Sequence, residues 1–340
     1  MKRQSIAEAL RDGIRSEMRR DPRVFCIGED IAIPGGWGGA FTVTLGLEKD
    51  FPDRMLNTPI SENGFCGVAL GAALMGLRPI ADVQYADFLF CAMDQVANQI
   101  AKLRYMSGGK LTVPLVLRAP VGATGRGAQH GQSLESFFLP LPGIKILVPA
   151  TAYDALGLLR AAVRDDNPVL IFEHKLLYGS KGARAETGAV DASSEIPDED
   201  YVVPIGQAAI RRPGKDLTIV ATLLMMHRSL QAAELLARDG IEAEVIDPRS
   251  LVPFDWETVK ASVARTGRVL TVEEAPRRGG LGAEICATLA EEMAEHLVAP
   301  VRRVSAPAVP VPFAPPMEQF YVPDAARIAR AAREVMAYGA

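Results

Sequence analysis

The sequence predicts an α/β protein of two domains, each a mostly parallel sheet flanked by helices. Its 340 residues are 49% hydrophobic, enough to fill two cores of ordinary size. The candidate strands are short continuous apolar runs rather than alternating ones, the pattern of strands covered on both faces. Those runs alternate with helix-period segments, the order that a parallel sheet with crossover helices requires.

From the N-terminus, Ile6, Leu10 and Ile14 mark the apolar stripe of a surface helix over 5–19. Glu8, Asp12 and Glu17 on the same stretch are out of place in a transit peptide, and no apolar signal-peptide core follows. Strands are expected at 24–27, 79–83, 113–119, 145–148 and 169–172, with helices at 63–77, 93–106 and 152–164 between them. Asp165-Asp166-Asn167-Pro168 is a turn by its own chemistry. The polar, proline-bearing stretch 180–204 breaks the alternation and reads as a linker, which divides the chain at 1–182, 183–204 and 205–340. Beyond it, strands at 217–221, 243–246, 269–272 and 302–304 and helices at 228–238, 256–265, 281–296 and 325–336 make a smaller α/β domain. The segment 306–316, APAVPVPFAPP, is expected to run extended over the surface.

Composition excludes several functions. The net charge of −4 leaves no basic excess to neutralise phosphates, so no nucleic-acid partner is expected. No uncharged run reaches transmembrane length; the longest strongly apolar stretch, 64–77, is too short and too rich in glycine. Cys26, Cys66, Cys91 and Cys286 form no CxxC pair and read as reduced core residues of a cytosolic protein. Neither they nor His130, His174, His227 and His296 stand at zinc-ligand spacing.

The most informative stretch is Thr58-Pro59-Ile60-Ser61-Glu62-Asn63-Gly64-Phe65. Pro59 and Ser61 are turn and N-cap residue types, so a helix starts near Glu62 and runs into the uncharged GFCGVALGAALMGL. Gly67 and Gly71, four apart, allow close approach of another backbone. Burial raises the pKa of such a carboxyl while the helix N-terminus favours its anion. A group caught between these effects can hold or share a proton near neutral pH. A capping glutamate on a buried helix is the plainer alternative.

The chain also resembles the beta subunits of the E1 components of thiamin-diphosphate-dependent 2-oxo acid and acetoin dehydrogenase complexes. The resemblance runs from Ile6 to about Arg333. It is anchored by GED (28–30), TPISENGFCG (58–67), GLRPIADVQYADF (76–88), DQVANQIAKLRYMSGG (94–109), GAQHGQS (127–133), PGIKILVP (142–149), EVIDPRSLVPFD (244–255) and EEAPRRGGLGAEI (273–285). It implies a pyrimidine-binding transketolase-like first domain and a transketolase C-terminal-like second one. It implies that Glu62 touches N1′ of the aminopyrimidine and that Phe88 stacks on its face, where a plain core phenylalanine is the alternative. It places Glu29 near the cofactor; an N-cap is the alternative. His130 sits in a glycine-rich loop after a buried strand, and a solvated loop histidine is its alternative. The resemblance turns it toward the substrate and an incoming lipoyl group, with Gly131 where many relatives carry serine. It carries a structural potassium ion onto Leu115, Ala162, Asp165 and Asn167, mainly through backbone oxygens.

The family's magnesium-diphosphate motif begins Gly-Asp-Gly, and no such triplet occurs in this chain. The magnesium ligands are therefore expected on an alpha subunit, with an α2β2 enzyme handing its acyl group to a lipoyl-bearing E2 core. The glycine-rich IPGGWGGAF (33–41) is expected to order against that partner. Trp37-Gly38-Gly39, Glu173-His174-Lys175-Leu176-Leu177-Tyr178 and VPVPF (309–313) look most like acetoin dehydrogenase, with pyruvate next and branched-chain 2-oxo acids third. A non-catalytic α/β assembly subunit is the reading from another class.

Overall fold

In the computed structural model, which describes residues 1–179 and 188–339, the fully buried strand Val24–Gly28 pairs in parallel with Met55–Asn57 on one side and Arg78–Asp82 on the other. Val116–Val121, Val169–His174 and Lys145–Leu147 continue the sheet outward from Arg78–Asp82, all parallel. These strands belong to the first of two units, made of Met1–Val121 and Phe138–Ile205. The second is made of Gly122–Phe137 and Gly206–Ala340. Of the polar stretch 183–204, residues 183–187 lie outside the described residues, and Ser194–Ile196 pairs antiparallel with the N-terminal strand Lys2–Gln4.

The helix Ile6–Arg20 starts at a complete capping box, with Ser5 and Glu8 each meeting the other's backbone N–H. Its stripe of Ile6, Leu10 and Ile14 is buried, worth about 1.5–3 kcal/mol per side chain. The stripe packs on the helix Ala152–Arg164, and Glu17, fully buried, accepts from Arg164 Nη2 at 2.6 Å. Asp165–Pro168 forms the expected turn, closed by Asn167 N–H on Asp165 Oδ1 at 2.8 Å.

The expected helix over 93–106 is not one helix. Ala86–Ala92 is a 3₁₀ segment, Asp94–Ile100 is a π-helix and Leu103–Met106 a short α-helix. The change of pitch redirects the Lys102 amide to Gln99 O, and the Lys102 ammonium takes up Ala97 O at 2.8 Å. The cysteine reading also needs correction: Cys26 and Cys66 are buried, but Cys91 is exposed and Cys286 only half-buried.

In the second unit, Arg302–Ala306, Val269–Pro276, Leu217–Ala221 and Ala243–Asp247 are parallel, and Ala209–Arg212 adds an antiparallel edge. The first helix, Leu223–Ala237, begins five residues before the expected 228. Its opening LLMM is wholly buried, so its apolar run hides the helical period. The segment 306–316 is not merely a surface connection. Ala306 and Val311 pack with Ala123 and Tyr321, and Pro315 opens the helix Pro315–Tyr321. No helix among the described residues is long and apolar enough to cross a membrane.

Candidate active site

Three adjacent parallel strands bring their carboxyl ends together, and residues far apart in sequence meet there. Glu29 follows Val24–Gly28, Glu62 opens the helix after Met55–Asn57, and Phe88 lies in the segment after Arg78–Asp82. Gly28 makes this convergence possible, since a Cβ there would lie 2.5 Å from Asp82 O. Gln84 then ties the loops together: its amide NH₂ donates to Glu29 O, and its amide oxygen accepts from Ala40 N–H at 2.7 Å.

Glu62 is the first residue of Glu62–Leu74 and only 8% exposed. Ser61 occupies the N-cap position but makes no side-chain capping bond; its backbone N–H instead donates to Glu29 Oε1 at 3.1 Å. Among the described residues the Glu62 carboxylate has no hydrogen-bond or ion-pair partner. It is a buried acid held at the positive end of a 13-residue helix, with its oxygens unclaimed.

Glu29, also buried, has its pKa raised by burial and then by the neighbouring Glu62 carboxylate, with the Ser61 N–H opposing. Burial pushes the Cys66 thiol, one turn along the helix, up to about 12, and Glu62 and Glu29 add to that. Two carboxyl groups thus share one low-dielectric region. The two glycines of the helix separate in role. Gly67 faces the Gln95 side chain, whereas Gly71 has nothing within 4 Å.

Phe88 is half-buried, with Tyr85 edge-on to it at 5.6 Å between ring centroids. Beside Tyr85 opens a cavity of about 440 Å³, also lined by Asp30, Trp37, Ala40 and Gln84.

His130 sits apart in the division of the chain, because Gly122–Phe137 clusters with the second unit. Its loop closes on itself through Gly122 N–H to Gln132 O at 3.1 Å. Two carboxylates of that unit hold it: Glu274 accepts from Ala123 N–H at 2.7 Å and Glu318 from Gly125 N–H at 2.6 Å. Gly131 is glycine for a steric reason, since a Cβ there would lie 2.8 Å from Gly127 O and 3.0 Å from Val311. His174 is structural, its Nδ1 accepting from Leu176 N–H at 3.2 Å.

Leu115, Ala162, Asp165 and Asn167 share one neighbourhood. Leu115 O accepts from Val169 N–H and Ala162 O from Asp165 N–H, while Arg78 Nη1 donates to Asp165 O at 3.0 Å. Arg104 meets Asn167 Oδ1 at 2.8 Å, and Lys145 meets the Asp165 carboxylate.

Sequence reasoning gave Arg118 no role and took Glu173, Tyr178 and Phe41 only as parts of the motifs 173–178 and 33–41. Arg118, 1% exposed, donates to Glu173 at 2.8 and 2.6 Å and to Asp82 at 2.5 Å. The signal was present: one arginine in the apolar run VPLVLRAPV demands buried acidic partners.

Residues 2–181 match the transketolase pyrimidine binding domain, and residues 206–328 the transketolase C-terminal domain. The acetoin:2,6-dichlorophenolindophenol oxidoreductase subunit beta of Cupriavidus necator is 46% identical, over 98% of each chain. The mitochondrial pyruvate dehydrogenase E1 component subunit beta-2 of Oryza sativa subsp. japonica is 44% identical, over 98% of this chain and 86% of its own. The 2-oxoisovalerate dehydrogenase subunit beta of Bacillus subtilis is 42% identical, over 97% and 98%. A solved structure described as split gene transketolase, inactive beta4 tetramer, superposes with a TM-score of 0.77 at 27% identity, covering 98% of each chain.

Proposed function

This chain belongs to the family of E1 beta subunits with transketolase-type pyrimidine-binding and C-terminal domains, and on that premise we propose that it supplies the pyrimidine half of an active site completed by an alpha chain. The assembled enzyme cleaves acetoin or decarboxylates pyruvate and passes the acyl group to the lipoyl arm of an E2 core. The family is thiamin-diphosphate dependent. The observation that carries the reading is Glu62, a buried carboxylate at a helix N-terminus with no hydrogen-bond or ion-pair partner among the described residues. Such a group calls for a ligand atom with which it can share a proton, and the basic aminopyrimidine N1′ is one.

Bound thiamin diphosphate contributes a nucleophilic carbon that this chain's side chains cannot provide. Glu62 holds and moves the proton at N1′. Glu29 stands beside it, its pKa raised by burial and then by the Glu62 carboxylate. Phe88 presents a flat face to the heteroaromatic ring, an attraction that needs no hydrogen bond. His130 holds or gives a proton at the substrate oxygen and at the acyl-transfer step. The magnesium and diphosphate belong to the alpha chain, since no Gly-Asp-Gly occurs in this one.

Potassium at the turn 162–167 is part of the same reading. Carbonyl oxygens that already accept one hydrogen bond keep a second lone pair, and Asp165 and Asp166 offset Arg78 and Lys145. A melting temperature equal in potassium and in sodium-only buffer would remove the ion from the scheme.

Alone, the chain lacks half of its site, and we expect an inactive assembly of beta chains. The solved relative described as an inactive beta4 tetramer supports this. The deciding experiment co-expresses the chain with a Gly-Asp-Gly-bearing alpha partner. Acetoin, pyruvate and a branched 2-oxo acid are then assayed side by side with a dye acceptor. Turnover of acetoin or pyruvate, dependent on both chains and on thiamin diphosphate, is the expected result. Full activity of the isolated chain, or none with any substrate in the complex, would overturn the reading.

A further inference from the structure

The hexapeptide Glu173-His174-Lys175-Leu176-Leu177-Tyr178 has no part in the chemistry above, yet three of its side chains converge on the aromatic group beside Phe88. Tyr178, 2% exposed, donates its hydroxyl to Glu173 Oε2 at 2.6 Å. Glu173, 1% exposed, is gripped by both Arg118 Nε and Nη2, and Arg118 in turn holds Asp82. The Tyr178 ring stacks on Phe41, with centroids 5.0 Å apart and planes 18° apart. Phe41 meets Tyr85 edge-on at 5.6 Å, and Tyr85 meets Phe88 edge-on at 5.6 Å. The ammonium of Lys175 lies 4.9 Å above the Tyr85 ring. The rings therefore form one unbroken series of contacts, Tyr178–Phe41–Tyr85–Phe88, whose inner end is fixed by a buried ion network.

We propose that Phe41 and Tyr178 are positioning residues for Phe88, holding its ring in the orientation that stacks on the aminopyrimidine through contact with Tyr85. This rests on the assignment of Phe88 as the stacking ring. The physical case is pre-organisation. Phe88, on the 3₁₀ segment Ala86–Ala92, and Tyr85, at its N-cap, are only half-buried, so the ring contacts add to what holds their orientation. A ligand that must first immobilise its stacking partner binds more weakly than one that finds it fixed. Stacked and edge-to-face ring contacts supply that restraint with defined geometry. Phe41 ends the glycine-rich loop 33–41, and Ala40, one residue before it, is bonded to Gln84. The loop is thereby fastened to the strand end that carries the rings.

The test uses the complex assembled with the alpha chain and reads thiamin diphosphate affinity by titration calorimetry, with melting temperature measured alongside. Phe41→Leu keeps most of the volume but removes the ring; Phe41→Tyr keeps the ring. The expected result is a Kd raised about fivefold in Phe41→Leu, unchanged in Phe41→Tyr, and raised at least as much in Phe88→Ala. Melting temperatures of the two Phe41 variants should agree within roughly 3 °C. If Phe88→Ala weakens binding while Phe41→Leu does not, or if both Phe41 variants weaken it equally, the ring series plays no positioning role. If Phe88→Ala binds thiamin diphosphate as the wild type does, the assignment of Phe88 falls, and the proposal with it.

Discussion

The pyrimidine-side group and the His130 loop are two candidate functional regions built on opposite principles. Glu29, Glu62 and Phe88 stand at the ends of adjacent parallel strands, and the charges beneath them are locked inside the sheet. Asp82 and Glu173 are buried there, both bonded to the buried Arg118. The His130 loop is held differently: backbone N–H groups of Ala123 and Gly125 are held by the carboxylates of Glu274 and Glu318. One region draws its geometry from a buried, continuously paired parallel sheet. The other draws it from a few charge-assisted hydrogen bonds, which can be lost one at a time. A cofactor that stays through every turnover suits the first region, and a substrate that comes and goes suits the second.

The sharpest break between the two is Glu62→Gln. An amide cannot transfer the N1′ proton, so deuterium exchange at thiamin C2 in the assembled enzyme should fall about 10²–10⁴-fold, with cofactor affinity changed far less. Exchange at the wild-type rate would end the assignment of Glu62. Arg118→Met probes the foundation instead. It leaves Asp82 and Glu173 buried without their cation and should cost about 3–5 kcal/mol in a denaturant melt. An unchanged midpoint would mean that the sheet does not depend on the ion network.

His130→Ala should leave C2 exchange intact while slowing acyl transfer to lipoamide about 100-fold. Equal loss in both partial reactions would mean that the two regions act as one. The smallest expected effect concerns the packing near the loop. Burial, with Glu274 and Glu273 adding, pushes the Glu135 carboxyl up to about 8, and burial pushes Glu273 up to about 7. Tyr321 rises to about 12 through burial and then Glu274 and Glu135. For Glu135 the folded state keeps a proton that the unfolded chain has released. Its contribution to stability is therefore full below the ordinary value of 4.5, declines as pH rises to about 8 and is flat above. Glu135→Gln should flatten that decline and raise the melting temperature at pH 8 by roughly 3 °C, with no gain at pH 4. A gain equal at both values would point to packing rather than titration.

Much of this molecule was legible in order along the chain. The parallel α/β architecture followed from buried apolar runs alternating with helical periods, and the runs at 24–27, 79–83 and 169–172 lie within a residue or two of the observed strands. The helix start at Glu62 and the turn at Asp165–Pro168 are local chemistry, and both stand where the residues placed them. The absence of Gly-Asp-Gly was likewise visible, and with it the expectation of a second chain.

Tertiary structure alone decided what lies between elements. It broke the helix expected at 93–106 into a π-helix and a short α-helix, which propensity over a short window cannot foresee. It joined Ser61 to Glu29 and ran four rings from Tyr178 to Phe88. It also grouped residues 122–137 with residues 206–340. The physical reason is common to all four. Caps, turns and periodicity are satisfied by atoms within one or two helical turns, so a linear reading finds them. Partners such as Arg118 and Glu173, 55 residues apart, are chosen by strand order and register. No local preference encodes these, because only the closed sheet determines which buried charge stands beside which.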